Sequence, residues 1–223
     1  MQAEPLKSVI NVLLVEDHPM FRERLASIIS KRGDMFVCGE ADNVHDAVRL
    51  AESLRPNIAI VDITLRGSNG LDFIKDIKAR GIDLPVLVLS MHDEAIYAQR
   101  VLRAGARGYI TKYEASAEVM AAIEQVLKGE IYLSRQMTSS MLGRLAVGNK
   151  AADAGDVNAL TDRELEVFQR IGRGDSARDI ASALHLGVTT IDTYRARIKE
   201  KLGLKTGAEL QRRAMEWAQE NPA

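Results

Sequence analysis

Five short apolar runs, separated by stretches of helical periodicity, constrain what the first half of this chain can become. The runs are VINVLLV (9 to 15), MFVCGEA (35 to 41), NIAIV (57 to 61), LPVLVL (84 to 89) and GYIT (108 to 111). Periodic helical stretches fall at about 19 to 31, 43 to 54, 70 to 80, 94 to 104 and 116 to 128. Strand and helix in alternation build a parallel sheet with helices on both faces. In open sheets of this kind the chemistry sits outside the carboxyl ends of the strands. Glu16-Asp17, Asp62, Ser90 and Lys112 each directly follow one of the runs, so three carboxylates, a hydroxyl and an ammonium are expected in one pocket. Carboxylates at strand ends suit a hard divalent cation, and a nearby lysine suits a phosphoryl group that the cation also binds.

The pattern changes after residue 130. Residues 134 to 158 are small, polar and Gly-containing, with a short helical stretch near 136 to 147, and read as an interdomain linker. From 159 the chain is all helical. Thr161 and Glu164 have the spacing of a capping box and open a helix that runs to about 171, ended by Gly172 and Gly174. Helices at 176 to 184 and 189 to 203 follow, joined by a tight turn at 185 to 188, and a last helix covers 207 to 219. Two short helices followed by a basic amphipathic one make a helix-turn-helix candidate. In the third helix Ile191, Tyr194, Ile198 and Leu202 make a core face, while Thr189, Asp192, Thr193 and Ala196 point elsewhere. Leu210, Ala214 and Trp217 form a stripe for packing or dimerisation. The division expected is 9–130, a linker over 131–158, and 159–223.

Composition narrows the function classes. No stretch approaches the roughly 18 consecutive apolar residues of a membrane helix, and MQAEPLKS lacks the basic start and apolar run of a secretory signal. A cytoplasmic location with no membrane partner is the expectation. Cys38 is the single cysteine, so it forms no internal disulfide and supplies no thiolate cluster. Its neighbours suggest a buried strand residue. His18, His45, His92 and His185 are dispersed, which argues against a histidine-based metal site. The net charge of -1 excludes a globally basic nucleic-acid binder, so any DNA contact needs a local patch. Residues 193 to 205 provide one, with five basic residues against Glu200.

VLLVEDH, IAIVDITLRGSNGLDFI, VLVLSMHD and RGYITK resemble, in order and spacing, the receiver domain of two-domain response regulators of the NarL/FixJ type. LTDRELEVFQRIGRG and DIASALHLGVTTIDTYRARIKEKLG resemble the LuxR-type DNA-binding domain of the same family. The resemblance covers nearly the whole chain. It implies a doubly wound, flavodoxin-like α/β receiver with five parallel strands in the order 2-1-3-4-5, followed by a smaller all-α helix-turn-helix domain.

The resemblance also implies roles at matching positions. Asp62 matches the phosphoacceptor. Glu16 and Asp17 match the acidic pair that holds Mg²⁺ together with Asp62, with the backbone carbonyl of Thr64 as a further ligand. Ser90 and Tyr109 match the hydroxyl and aromatic switch positions, and Lys112 the lysine that pairs with the phosphoryl group. Met91 and His92, with Thr64, lie where receivers tune acyl-phosphate lifetime. Thr189, Asp192, Thr193 and Ala196 would face DNA bases, Arg195, Arg197, Lys199 and Lys201 the phosphates, and Thr190 is a further DNA-binding position. Two positions depart from the family: Arg66 and Tyr113 stand where many relatives have proline. The implied function is a regulator, not an enzyme, that takes a phosphoryl group from a sensor histidine kinase and binds double-stranded promoter DNA as a homodimer. RNA polymerase is a further expected partner. Two alternatives remain at the level of sequence: a phosphorylation-independent DNA-binding protein whose receiver only dimerises, and a phosphotransfer protein whose C-terminal domain binds protein.

Overall fold

The five apolar runs all become strands. In the computed structural model, which describes residues 9–91, 94–114, 116–147 and 157–220, the strands are β1 (Ile10–Val15), β2 (Met35–Ala41), β3 (Ile58–Val61), the two-residue β4 (Thr64–Leu65) and β5 (Ser68–Asn69), β6 (Val86–Ser90) and β7 (Gly108–Thr111). The main sheet has the order β2-β1-β3-β6-β7, parallel throughout. This is the 2-1-3-4-5 order expected. Helices α1 (Pro19–Ser30), α2 (Val44–Leu54), α3 (Gly70–Ala79), α4 (Glu94–Ala104) and α5 (Ser116–Leu127) connect and follow the strands.

Alternation within the strands sorts residues between two buried faces. Val12, Leu14, Ile58, Ile60, Leu87, Leu89 and Ile110 form one core with Leu25 and Ile29 of α1 and Val119, Ala122, Ile123 and Val126 of α5. Leu13, Val15, Ala59, Val61, Val86, Val88 and Tyr109, of opposite parity, are also buried. Helices α2 and α4 pack against strands, and α2 packs on α3. Cys38 lies at an irregularity where the β1–β2 register shifts, and its thiol donates to Val12 O at 3.4 Å. Burial raises its pKa, so it stays a thiol.

The hairpin β4–β5 is not legible as periodicity, because two residues carry no alternation. It turns at Arg66-Gly67, with Gly67 at φ 67°. The Arg66 amide donates to Asp42 O at 3.3 Å, and its guanidinium stands 3.9 Å from the Asp42 carboxylate. Proline has no amide hydrogen to give, so the departure at Arg66 adds a backbone tie to the end of β2.

The linker stretch begins as an extension of the sheet. Tyr132 bridges to Gly108, and the amide of Tyr109 donates to Tyr132 O at 3.0 Å. Then α6 (Arg135–Val147) forms where a short helix was expected. Met137 is buried on it, and the amide of Ser134 before it donates to Glu94 Oε1 at 2.8 Å. The chain divides into two compact units at Ser140 and Met141, within α6. The middle of the stretch read as linker lies outside the described residues.

The second unit is helical: a 3-10 turn (Val157–Ala159), α7 (Asp162–Gly172), α8 (Ala177–Ala183), α9 (Val188–Leu202) and α10 (Gly207–Glu220). Thr161 and Glu164 form the expected capping box, with Thr161 N donating to Glu164 Oε2 at 2.8 Å. Ser176 and Asp179 form a second one that opens α8. Gly203, at φ 67°, ends α9 in the left-handed conformation that favours glycine. Leu210 and Ala214 are buried and Trp217 meets Phe168 edge-to-face at 5.8 Å, so the stripe on α10 is a packing face against α7. No helix among the described residues is long and apolar enough to cross a membrane.

Candidate functional site

Backbone pairing continues past the strand ends and sets the acid pocket. Glu16 N donates to Ala41 O and Asp62 N to Val15 O, each at 2.9 Å, which aligns the ends of β1, β2 and β3. Lys112 N donates to Ser90 O at 2.9 Å and does the same for β6 and β7. Glu16 (2% exposed), Asp62 (4%), Ser90 (0%) and Lys112 (6%) are thereby buried at one end of the sheet. Lys112 Nζ joins two of the acids, 2.5 Å from Glu16 Oε2 and 2.8 Å from Asp62 Oδ2.

Asp17 completes the acidic set, with its side chain 9% exposed and Oδ1 2.8 Å from His18 Nδ1. That ring nitrogen is also 3.1 Å from Glu16 Oε1. One ligand atom from each of Glu16, Asp17, His18 and Asp62 lies within 4.8 Å of the others. Glu16 Oε2 and Asp17 Oδ1 are buried carboxylate oxygens, the first against the Lys112 ammonium and the second against the His18 ring nitrogen. Buried anionic oxygens in this condition are stabilised by a cation. Lys112 supplies one positive charge among three carboxylates, so the residues fit a divalent ion with hard oxygen ligands. Thr64 stands at the start of β4, two residues beyond Asp62, and pairs with Asn69 across the hairpin. Tyr109 is fully buried in β7, opposite Val88 of β6. Met91 is exposed beyond β6, and His92 lies outside the described residues.

Sequence reasoning missed four residues here. The dispersal of the histidines along the chain gives no sign of His18, which sits on two of the acids. Arg22 holds the Glu16 backbone through Nη1 to O at 2.6 Å and reaches Glu40 through Nε at 2.9 Å. Gly70 abuts the Asp62 carbonyl. Phe21 places its ring centroid 4.4 Å from Lys112 Nζ. Only Gly70 carried a visible signal, a glycine opening a helix shortly after a strand-end acid.

In the second unit α9 packs on α7 and α8. Ile191, Ile198 and Leu202 are buried as expected, while Tyr194 is half-buried. Thr189, Thr190, Asp192, Thr193, Ala196 and Arg197 are exposed, and Arg195 and Lys199 are half-buried. The Thr193 hydroxyl donates to Thr189 O at 3.0 Å, one turn back. Lys201 is engaged within the domain: its Nζ lies 2.6 Å from Glu164 Oε2 and 3.4 Å from Ala159 O. Burial pushes the Glu164 carboxyl up, but hydrogen bonds from Lys201 and Thr161 and the Lys201 charge outweigh it and hold the pKa below the usual range.

Comparison with known proteins agrees with this architecture. Residues 12–124 match the response regulator receiver domain, and residues 158–214 match the bacterial regulatory proteins of the luxR family. BvgA of Bordetella pertussis, whose name describes a positive transcription regulator of virulence factors, is 34% identical over 89% of this chain and 93% of its own. The nitrate/nitrite response regulator NarL of Escherichia coli is 31% identical over 89% of this chain and 91% of its own. A crystal structure of a LuxR-family two-component response regulator from Aurantimonas superposes with a TM-score of 0.58 at 31% identity, covering 63% of this chain and 100% of that one. A receiver-like sheet with its acid pocket, joined to a LuxR-type helical domain, places this chain in the two-domain response regulators, DNA-binding transcription regulators under phosphorylation control.

Proposed function

We propose that Asp62 is the residue that accepts the phosphoryl group, delivered by a sensor histidine kinase, and that Glu16, Asp17, Asp62 and the Thr64 carbonyl hold Mg²⁺ beside it. The observation that carries this is the buried Lys112 ammonium on Glu16 and Asp62, in a pocket where Glu16, Asp17 and Asp62 bring ligand oxygens within 4.8 Å of one another. A carboxylate oxygen of Asp62 attacks phosphorus in line, the bond to the leaving group breaks, and an acyl phosphate results. There is little covalent work for a protein to do in such a transfer, so positioning and charge neutralisation dominate. When bound, Mg²⁺ neutralises charge on the phosphoryl oxygens. Lys112 offers the same oxygens an ammonium already in place, and the buried Ser90 hydroxyl can donate one hydrogen bond. Tyr109 lies in β7 and Lys112 directly follows it, and the neighbour of β7 on the outer side is Tyr132 at the start of the linker stretch. The pocket is thus connected by backbone hydrogen bonds to the segment that leads to the second unit.

Promoter DNA is met by α9. Thr189, Asp192, Thr193 and Ala196 face base edges, Arg195, Arg197 and Lys199 meet phosphates, and the exposed Thr190 is a further DNA contact. Lys201, paired with Glu164 and still partly exposed, is a further phosphate contact. Exposure of this helix face and its run of basic residues support the assignment. Phosphorylation promotes homodimerisation on the DNA, and the protein works in the cytoplasm with RNA polymerase as a further partner. Acetyl-phosphate labelling followed by mass spectrometry tests the acceptor: label should require Mg²⁺ and vanish in Asp62→Asn. Undiminished labelling of that variant would refute it.

A further inference from the structure

Phe21, in the first turn of α1, touches the chemistry of the acid pocket without carrying any polar group. Its ring centroid is 4.4 Å from Lys112 Nζ, the same ammonium that stands 2.5 Å from Glu16 and 2.8 Å from Asp62. An ammonium has three donors. Two point to carboxylates, and an aromatic face lies within the range at which its quadrupole attracts a cation. The Lys112 side chain is 3% exposed, so this attraction acts on a desolvated charge. Phe21 is half-buried and packs against the core formed by β1, β3 and the helices α1 and α5, which fixes where the ring can be. The guanidinium of Arg24 is a second cation near the ring, farther away at 6.0 Å.

We propose that Phe21 is a positioning residue for phosphoryl transfer: it seats the Lys112 ammonium so that the charge is presented, dry, to the phosphoryl oxygens. The proposal rests on Asp62 being the acceptor. As the Asp62 Oδ–P bond forms, the donor's bond to phosphorus breaks (P–N in phosphohistidine, P–O in acetyl phosphate), the carboxylate loses its negative charge to an acyl linkage and the leaving group departs with the electron pair. With acetyl phosphate as donor that group is acetate. Lys112 then loses an anionic partner on Asp62 and must take one on the phosphoryl group. Glu16 alone would pull the ammonium to its own side, whereas the uncharged ring pulls along a different direction before and after transfer. A leucine would fill similar space without a quadrupole, and an ammonium against it would be drawn toward water.

The test uses the full chain as wild type, Phe21→Leu, Phe21→Tyr, Phe21→Trp and Asp62→Asn, labelled with acetyl phosphate over a range of donor concentrations at saturating Mg²⁺. Phe21→Leu should slow the maximal labelling rate by about thirtyfold, the size expected for a desolvated cation–π contact. The donor concentration for half-maximal rate and the thermal midpoint should hardly move. Phe21→Tyr and Phe21→Trp should restore the rate to within about twofold, since both keep an aromatic face. A Phe21→Leu protein that labels like wild type overturns the proposal, as does equal loss in all three variants, which would mean packing alone. The Lys112 ammonium resonance in lysine-labelled protein gives a readout independent of labelling. Ring current should displace it in wild type and Phe21→Tyr and not in Phe21→Leu. If wild type takes no label on Asp62, the acceptor assignment fails while the displaced resonance still shows the seat; no displacement in wild type refutes the seat itself.

Discussion

Gly70 approaches the backbone carbonyl of Asp62 so closely that a β-carbon on it would lie 1.9 Å from that oxygen. The amide of Gly70 also donates to Ile63 O at 2.7 Å, which folds the start of α3 back over the strand-end acid. Neither contact can relax by moving a flexible side chain, because both are made by backbone. Gly70→Ala should therefore destabilise the first unit by about 3 kcal/mol, the upper part of the range for overpacking. Urea denaturation followed by circular dichroism measures the loss, and labelling of Asp62 should slow in parallel.

The pocket holds three carboxylates around one ammonium, so its charge is unbalanced when no divalent ion is bound. In metal-free buffer Asp62→Asn should raise stability by about 1 kcal/mol through relief of like-charge repulsion. Lys112→Met should do the reverse and cost about 3 kcal/mol, because the acids lose their buried partner. Added Mg²⁺ should stabilise wild type more than Asp62→Asn, by mass action on the better site. Thermal midpoints with and without Mg²⁺ check all three.

Stability of the second unit should fall in acid with a known sign. Glu164 has its folded pKa below the unfolded value of about 4.3. Its contribution is fully present above that value and is lost as pH falls through the lower folded one. Asp179, bonded by the Ser176 hydroxyl and amide, and Glu209, bonded chiefly by the Lys205 amide, shift in the same direction. Lys201→Met removes a hydrogen bond and a charge that lower the Glu164 pKa and leaves its burial in place, so acid unfolding should begin at higher pH. A pH series of urea midpoints for the two proteins would show parallel curves if Lys201 did not act on Glu164.

Trp217 is the sole tryptophan, so intrinsic emission excited at the indole band reports the packing of α10 on α7. Trp217→Ala removes a half-buried ring and its edge-to-face partner, at an expected cost of about 2 kcal/mol. Trp217→Phe should recover most of it. Chemical denaturation read by circular dichroism gives both values.

On DNA, Arg197→Ala and Lys199→Ala should weaken every sequence alike and lower the salt slope by about 0.9 for each phosphate contact removed. Asp192→Ala should instead relax preference at one base pair, where a mismatch ordinarily costs about 1 to 3 kcal/mol. Selection over randomised sites separates the two. A change in total affinity with every preference intact would assign Asp192 to orienting a neighbouring arginine.

The strands, their order in the chain and the acids that follow them were readable in the sequence, because a short continuous apolar run and the residue that ends it are local properties. Asp62, Glu16 and Lys112 could be expected in one place for the same reason: in a parallel sheet every strand delivers its last residue to one edge. The helical periodicity of α7 to α10 was legible too, and so was the Thr161–Glu164 capping box, whose partners are three residues apart. What only the tertiary structure decided involves pairs distant in sequence and without a pattern. Phe21 meets Lys112, Arg66 meets Asp42, and Lys201 meets Glu164 because packed elements bring them together. Lys201 shows the difference most plainly. Its place in a basic run on an amphipathic helix makes it look like a phosphate contact, and only the packed domain shows that it also pairs with a buried carboxylate 37 residues earlier in the chain.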